Sequence, residues 1–341
     1  MRAQSVVRRR LKALLLVLVT AFLLSMIAQA ARQPVHRSAA GELSIKRHPF
    51  HSTPTPAYNA SLASGDGFSN AAAALHPCVL IRTYSGNRND LVSLLWSLLL
   101  SGHPNLRAFV VDTGKVLTPG LPDILHSVNA LSGRDWVEMS PRTLARDVKP
   151  HFPGLDGVED YGYALTDLVM EDIMNGTTGK REAGSGTANP GDDSFSPLCD
   201  TLTITNGDNV YSPAFLKHTL GPIADMGMDM AGTNWVSRYE AWNQWPSGPP
   251  AYADDWCGPH RSGKTQEMKI SPAFTCGCVD LGAVTFRLEN VHRSGVRFIV
   301  DKLRADEKLG ILQLSDCNFF QRLKASGAKT SVVHEALFIH N

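Results

Sequence analysis

The stretch "CVLIRTYSGNRNDLVSLLWSLLLSGHPNLRAFVVDTG", Cys78 to Gly114, decides the fold. Its opening, Cys78–Tyr84, is a short apolar, β-branched run, which reads as a strand. From Asn89 to Gly102 the apolar residues recur at helical spacing, with Asn89 suited to cap the start and Gly102 to end the helix. Leu106–Gly114 returns to a strand pattern and carries Asp112 at its end. A strand, a helix and a strand in that order imply a parallel pair, the unit of an α/β sheet.

Upstream, residues 32–76 are rich in Ser, Ala, Pro and Gly and read as a flexible stem. Further upstream, Arg8, Arg9, Arg10 and Lys12 precede an apolar run, Ala13–Ala31, broken only by Thr20, Ser25 and Gln29. That run is near the minimum length for a membrane-spanning helix. The unopposed positive charges predict a cytoplasmic tail (1–12), a signal-anchor (13–31) and a lumenal remainder. Ala28-Gln29-Ala30 also fits a signal-peptide cleavage site. Both readings send the rest of the chain into the secretory pathway. The expected location is a single-pass type II Golgi or ER membrane protein, with secretion as the alternative. Two sequons, at Asn59 and Asn175, agree with a glycoprotein. So does the even number of cysteines, 6, which predicts disulfides or buried thiols of open connectivity.

The 341 residues are 43% hydrophobic, and 33 basic residues nearly balance 32 acidic ones, for a net charge of +1. Without a basic field, nucleic acid is disfavoured as a partner. A local site for a small anion stays open.

Downstream, Val158–Gly176 reads as a helix and Lys180–Pro197 as an exposed loop. Cys199–Ser212 is a β-branched run that stops at Asn206-Gly207-Asp208-Asn209. Met228–Tyr239 reads as a strand, Asp280–Gly295 as a helix or strand–helix unit, and Ser315–Gly327 as a helix capped by Ser315 or Asp316. Thr330–Asn341 ends the chain in strand-like residues. In open α/β sheets, ligands bind beyond the carboxyl ends of the strands. A carboxylate there, such as Asp208, can hold a hard cation, and the cation a diphosphate. Asn206 and Asn209 would add amide contacts. The same residues also suit an ordinary strand-end turn.

The segments "VLIRTY", "FVVDTG", "YGYALTD", "LTITNGDNVYS", "CVDLGAVTFR", "SDCNFFQRL" and "ALFIHN" together resemble a GT-A fold glycosyltransferase of the membrane-tethered secretory type. They cover most of Cys78–Asn341 in the expected order. The resemblance implies an α/β, GT-A-like fold over residues 77–341, with one Rossmann-like nucleotide-binding sheet and an acceptor subregion. It implies a nucleotide-sugar donor, Mn2+ or Mg2+, and a glycan, glycoprotein or glycolipid acceptor. On it, Asn206-Gly207-Asp208 matches an Asp-x-Asp metal motif whose first acid is Asn. Asp208 and His340 become metal ligands, with His334 the competitor of His340. Asp112, Asp167, Asn206 and Asp208 become nucleotide contacts, and Asp316 the general base that an inverting enzyme needs and a retaining one does not need there, the stereochemistry staying open.

Each of these acids also has a simpler use: Asp112 as a turn cap, Asp167 as an exposed helical charge, Asp316 as a helix cap. Trp235, Tyr239, Trp242, Trp245, Tyr252 and Trp256, with Arg238, Glu240 and Asp255, form a candidate acceptor wall or plain packing. Asp254 and Asp255 are alternative bases, and Asp280 and Arg287 candidates for lining the site. Two rival functions remain: a non-catalytic glycan-binding or scaffold protein of this fold, and a glycoside hydrolase. The latter needs a facing carboxylate pair that the sequence does not display.

Overall fold

The computed structural model describes residues 67–114, 116–148, 162–177, 195, 197–237, 266–268, 270, 274, 279–299 and 315–340. Its strands are β1 (Pro77–Thr83), β2 (Arg107–Asp112), β3 (Val137–Met139), β4 (Thr201–Asn206), β5 (Val210–Tyr211), β6 (Met230–Ser237), β7 (Gln266–Met268), β8 (Val284–Arg287) and β9 (Thr330–His340). They form one mixed sheet in the order β3-β2-β1-β4-β8-β6-β9-β5, with β7 added to β6. β1 pairs in parallel with β2, from Cys78↔Arg107 to Thr83↔Asp112. On its other side β1 pairs in parallel with β4, from Pro77↔Thr201 to Arg82↔Asn206. β8 runs antiparallel to β4 and to β6, and β6 runs parallel to β9. The carboxyl ends of β1, β2, β4, β6 and β9 therefore share one edge, and β8 begins there.

The apolar runs read as strands because they are buried on both faces. Successive side chains alternate across the sheet. Leu80, Phe109, Leu202 and Ile204 pack under the helix Tyr163–Met174 and beside Phe319 and Phe320. Val79, Ile81 and Val110 face the opposite layer, with Leu91, Leu95 and Leu98 of the helix Arg88–Leu99 and Phe215 of the helix Phe215–Asp225. Cys78 and Cys199 form a disulfide between the beginnings of the neighbouring strands β1 and β4. Cys317 is disulfide-bonded as well.

The parallel strand–helix–strand unit lies where the sequence predicts it, except that Asn87 rather than Asn89 precedes the helix. Gly102, at φ 70°, ends that segment in the left-handed conformation that glycine adopts without strain. Asp280–Gly295 is a turn, a strand and a helix: a 3-10 turn (Leu281–Ala283), β8, then Leu288–Ser294. Ser315 and Asp316 lie inside the first turn of Ser315–Ala325 rather than at its cap.

The segment read as stem contains, at its end, a short helix, Asn70–Ala74. Ser69 accepts from the Ala72 amide at 3.1 Å and donates to Asp225 at 2.8 Å, tying this helix to Phe215–Asp225. No helix among the described residues is long and apolar enough to cross a membrane. The apolar run Ala13–Ala31 lies outside the described residues, as do residues 178–194 and 238–265.

Candidate active site

At the shared strand edge, β1 and β4 end side by side with Arg82 opposite Asn206. Asn206 Oδ1 accepts two hydrogen bonds from the Arg82 guanidinium, from Nη2 at 2.8 Å and Nε at 3.1 Å. The guanidinium lies 4.8 Å from the centre of the Tyr163 ring, a cation–π contact. Tyr163 follows Gly162, which opens its helix in the left-handed conformation at φ 79°. The Tyr163 hydroxyl donates to Asp316 Oδ1, in the first turn of Ser315–Ala325. Asn206, Arg82, Tyr163 and Asp316 thus form a chain of contacts across one face of the sheet.

Asp208 follows β4 by two residues. The Gly207 amide donates to the Arg82 carbonyl at 2.8 Å, holding the turn against β1. A Cβ on Gly207 would stand 2.9 Å from Thr83 Oγ1 and 3.2 Å from Asn87 Nδ2, so glycine is what permits this approach. Burial pushes the Asp208 carboxyl up, Asp90 and Asp280 push the same way, and His340 pulls it down. Asn209 is buried, and its amide donates to Thr205 Oγ1 at 2.9 Å.

β9 delivers His340 to the same edge. Its Nδ1 lies 2.6 Å from Asp280 Oδ2. Asp280 Oδ1 accepts from the Gly282 amide at 2.8 Å, which fixes the carboxylate at the start of the 3-10 turn. Burial acts to lower the His340 imidazole, but Asp280, helped by Asp208 and Asp316, outweighs it and raises the group. Burial acts to raise Asp280, but His340 and the Gly282 amide outweigh it and hold that carboxyl low. For Asp316, burial and Asp280 raise the carboxyl while Arg82, Tyr163 and His340 oppose them, and the net shift is upward.

Other sequence-predicted residues stand elsewhere or are otherwise engaged. Asp112 is buried, and its two oxygens accept from the amides of Gly114 and Thr118, as in a turn cap. Asp167 is also buried rather than exposed, and accepts from the amides of Phe298 at 2.9 Å and Ile299 at 2.7 Å. Backbone donors thus hold both carboxylates, which the sequence analysis offers as nucleotide contacts, and Asp112 takes the form of its alternative there, the turn cap. Asn206, also expected at the nucleotide, has its carbonyl taken by Arg82. Arg287 donates to the carbonyls of Met228 and Ile223 and ties a helix end to the sheet. His334 is exposed on β9.

Trp235 is buried in the core, its ring 5.8 Å from that of His340. Arg238, Tyr239, Glu240, Trp242, Trp245, Tyr252, Asp254, Asp255 and Trp256 lie outside the described residues. The sequence reading missed Arg82. Its signal was present: a charged residue inside the apolar run "VLIRT" needs a partner or a purpose.

The donor set has a chemistry that suits a divalent cation in part. Metal-bound histidines almost always give their second ring nitrogen to a carboxylate or carbonyl, and Asp280 Oδ2 stands beside His340 Nδ1 where such a partner would. His340 Nε2 and the Asp208 carboxylate are then the candidate ligands for Mn2+ or Mg2+. Among the described residues, no three side chains converge as a complete metal cluster. A cation held there would draw its remaining ligands from substrate and water.

No protein-family model matches the chain. No curated protein sequence matches it either. Among solved structures, residues 1–349 of S. aureus TarS align over 78% of this chain and 60% of that one, at 12% identity and a TM-score of 0.46. The same fragment in complex with UDP-GlcNAc aligns over 78% and 58%, at 12% identity and a TM-score of 0.45. The mannosyltransferase PcManGT from Pyrobaculum calidifontis, in complex with GDP-Man and Mn2+, aligns over 86% and 60%, at 14% identity and a TM-score of 0.42. The chain thus spans about 60% of the length of the structures it matches. Likenesses at this level establish neither a shared family nor a shared ligand.

Proposed function

We propose that the protein is a glycosyltransferase that moves a sugar from a nucleotide-sugar donor to an acceptor hydroxyl with the help of a divalent cation. The observation that carries this reading is the convergence of Asp208, the Asp280–His340 pair and Asp316 at one strand edge, beside Arg82. Asp208 and His340 Nε2 would hold Mn2+ or Mg2+, which supplies positive charge to the diphosphate. Asp316 is the base for the acceptor hydroxyl. The Tyr163 hydroxyl occupies its Oδ1 and leaves Oδ2 to take the proton. Burial raises the Asp316 carboxyl, which makes its ionised form a stronger base. The acceptor is a glycan, glycoprotein or glycolipid, and the reading assigns the protein to the Golgi or ER membrane with its catalytic part in the lumen.

The test is donor turnover by the purified full chain, screened across nucleotide sugars with manganese. Turnover that falls at least a hundredfold in Asp208→Ala and in Asp316→Asn supports the assignment. Turnover unchanged in Asp208→Ala refutes it. One observation favours a second reading, a non-catalytic glycan-binding or scaffold protein. Asn206 replaces an acid at the metal motif, and its side chain serves Arg82. That reading requires glycan binding with no nucleotide-diphosphate binding at any manganese concentration.

A further inference from the structure

Arg82 carries a guanidinium and is only 7% exposed. A buried charge is costly unless it is paired and hydrogen-bonded. Here the direct partner is the neutral carbonyl of Asn206, which takes the Nε–Nη2 edge of the fork. One face of the guanidinium is covered by the Tyr163 ring. The remaining end, Nη1, is buried and makes no hydrogen bond among the described residues. No carboxylate among the described residues stands within ion-pair distance of Arg82, although its charge reaches Asp316 and Asp280. It sits at the strand edge that carries Asp208, two residues beyond its own partner Asn206.

We infer that Arg82 is the protein's own anion-binding group at this edge, and that Nη1 donates to a phosphate oxygen of a nucleoside diphosphate. The inference rests on the proposed donor site and assigns it a second positive charge, besides the cation. Asn206 has a specific part in this. It orients the guanidinium as a carboxylate would, but without neutralising it. An acid at 206 would pair with Arg82 and weaken its pull on an outside anion. Asp208, Asp280 and Asp316 all stand close enough to act on His340, and their negative charge opposes a bare anion. The ligand therefore has to arrive with a divalent cation, and the measurement has to include one.

The experiment is titration calorimetry of the full chain with manganese, using inorganic pyrophosphate, UDP, GDP, uridine and guanosine. Arg82→Gln should weaken pyrophosphate and the favoured diphosphate at least tenfold and leave its nucleoside unchanged. Arg82→Lys should recover part of that loss, because it keeps the charge. Arg293→Gln removes an equal charge from an exposed helix and should change nothing. Asn206→Asp keeps the fork geometry and supplies the fold control. It should lower the diphosphate-to-nucleoside preference when measured at saturating manganese.

Equal weakening of nucleoside and diphosphate by Arg82→Gln would mean a merely structural arginine and overturn the inference. So would wild-type diphosphate affinity in both Arg82→Gln and Asn206→Asp, with the glycosyltransferase reading left standing. Absence of any diphosphate or pyrophosphate binding by the wild-type chain would overturn both.

Discussion

His340 Nδ1 and Asp280 Oδ2 stand 2.6 Å apart, joining the end of β9 to the turn that begins β8. The two residues are 60 positions apart in sequence and meet only because β6 brings both strands to one edge. Asp280 fixes the imidazole's orientation and favours its protonated form. A cation must displace that proton, so its binding should strengthen as pH rises through the titration of His340.

Asp280→Asn removes the charge and keeps the shape. Losing such an outer partner typically costs a metal site about 10–100-fold in affinity. Manganese titration followed by electron paramagnetic resonance should show that loss, together with a weaker pH dependence of binding. Unchanged affinity would mean that His340 is not a ligand.

Gly207→Ala sets a methyl group 2.9 Å from Thr83 Oγ1, in a turn held by the Gly207 amide. Overpacking of this kind costs about 1–3 kcal/mol. Urea unfolding should show a loss in that range. Diphosphate binding should fall with it, because relief of the clash moves Asp208.

Burial raises Asp167 to about 7, against the pull of two backbone amides and of Arg297 and Arg322. Its unfolded value is the ordinary one, 3.8, so the folded chain keeps the proton longer. The stabilisation is therefore complete below about pH 4 and is lost as pH rises through about 7, at about 1.4 kcal/mol per unit of displacement. The isosteric Asp167→Asn cannot titrate. Between about pH 4 and 8 the thermal midpoint of the wild type should fall relative to that of the variant. Parallel curves would show that the carboxyl is ionised throughout.

The Cys78–Cys199 bridge closes a loop with a sequence separation of 121 between adjacent strands. Loss of a native bridge of this span costs about 2–5 kcal/mol. Cys78→Ser should lower the denaturant midpoint accordingly, and reductant should lower that of the wild type toward it. The variant's own response to reductant reports what the Cys317 bridge contributes.

The sheet was legible where burial on both faces wrote a continuous apolar run, Cys78–Ile81, or a β-branched one, Thr201–Thr205, into the sequence. The helix Phe215–Asp225 was not, because Gly221 and Pro222 inside "FLKHTLGPIAD" break the local pattern, and packing against the sheet holds it together. Leu121–Ser132 starts between Gly120 and Pro122 and was hidden by the same punctuation. At the candidate site, the placement of Asp208, His340 and Asp316 near the ends of their elements could be read from the sequence. The roles of Asn206 and Arg82 could not. They depend on the register that sets β1 beside β4, and register is a property of two strands rather than one. The turn cap at Asp112 was among the sequence readings, but the amides of Phe298 and Ile299 that meet Asp167 were not, because sequence does not reveal which backbone amides will turn toward a carboxylate.

β9 is inserted between β6 and β5 and is the last of these strands to be synthesised. A chain stopped between Asp208 and Thr330 holds Arg82, Asn206 and Asp208 but lacks both His340 and the partner on which β5 is built. The strand that fills the place between β6 and β5 is also the one that carries His340 to the candidate site.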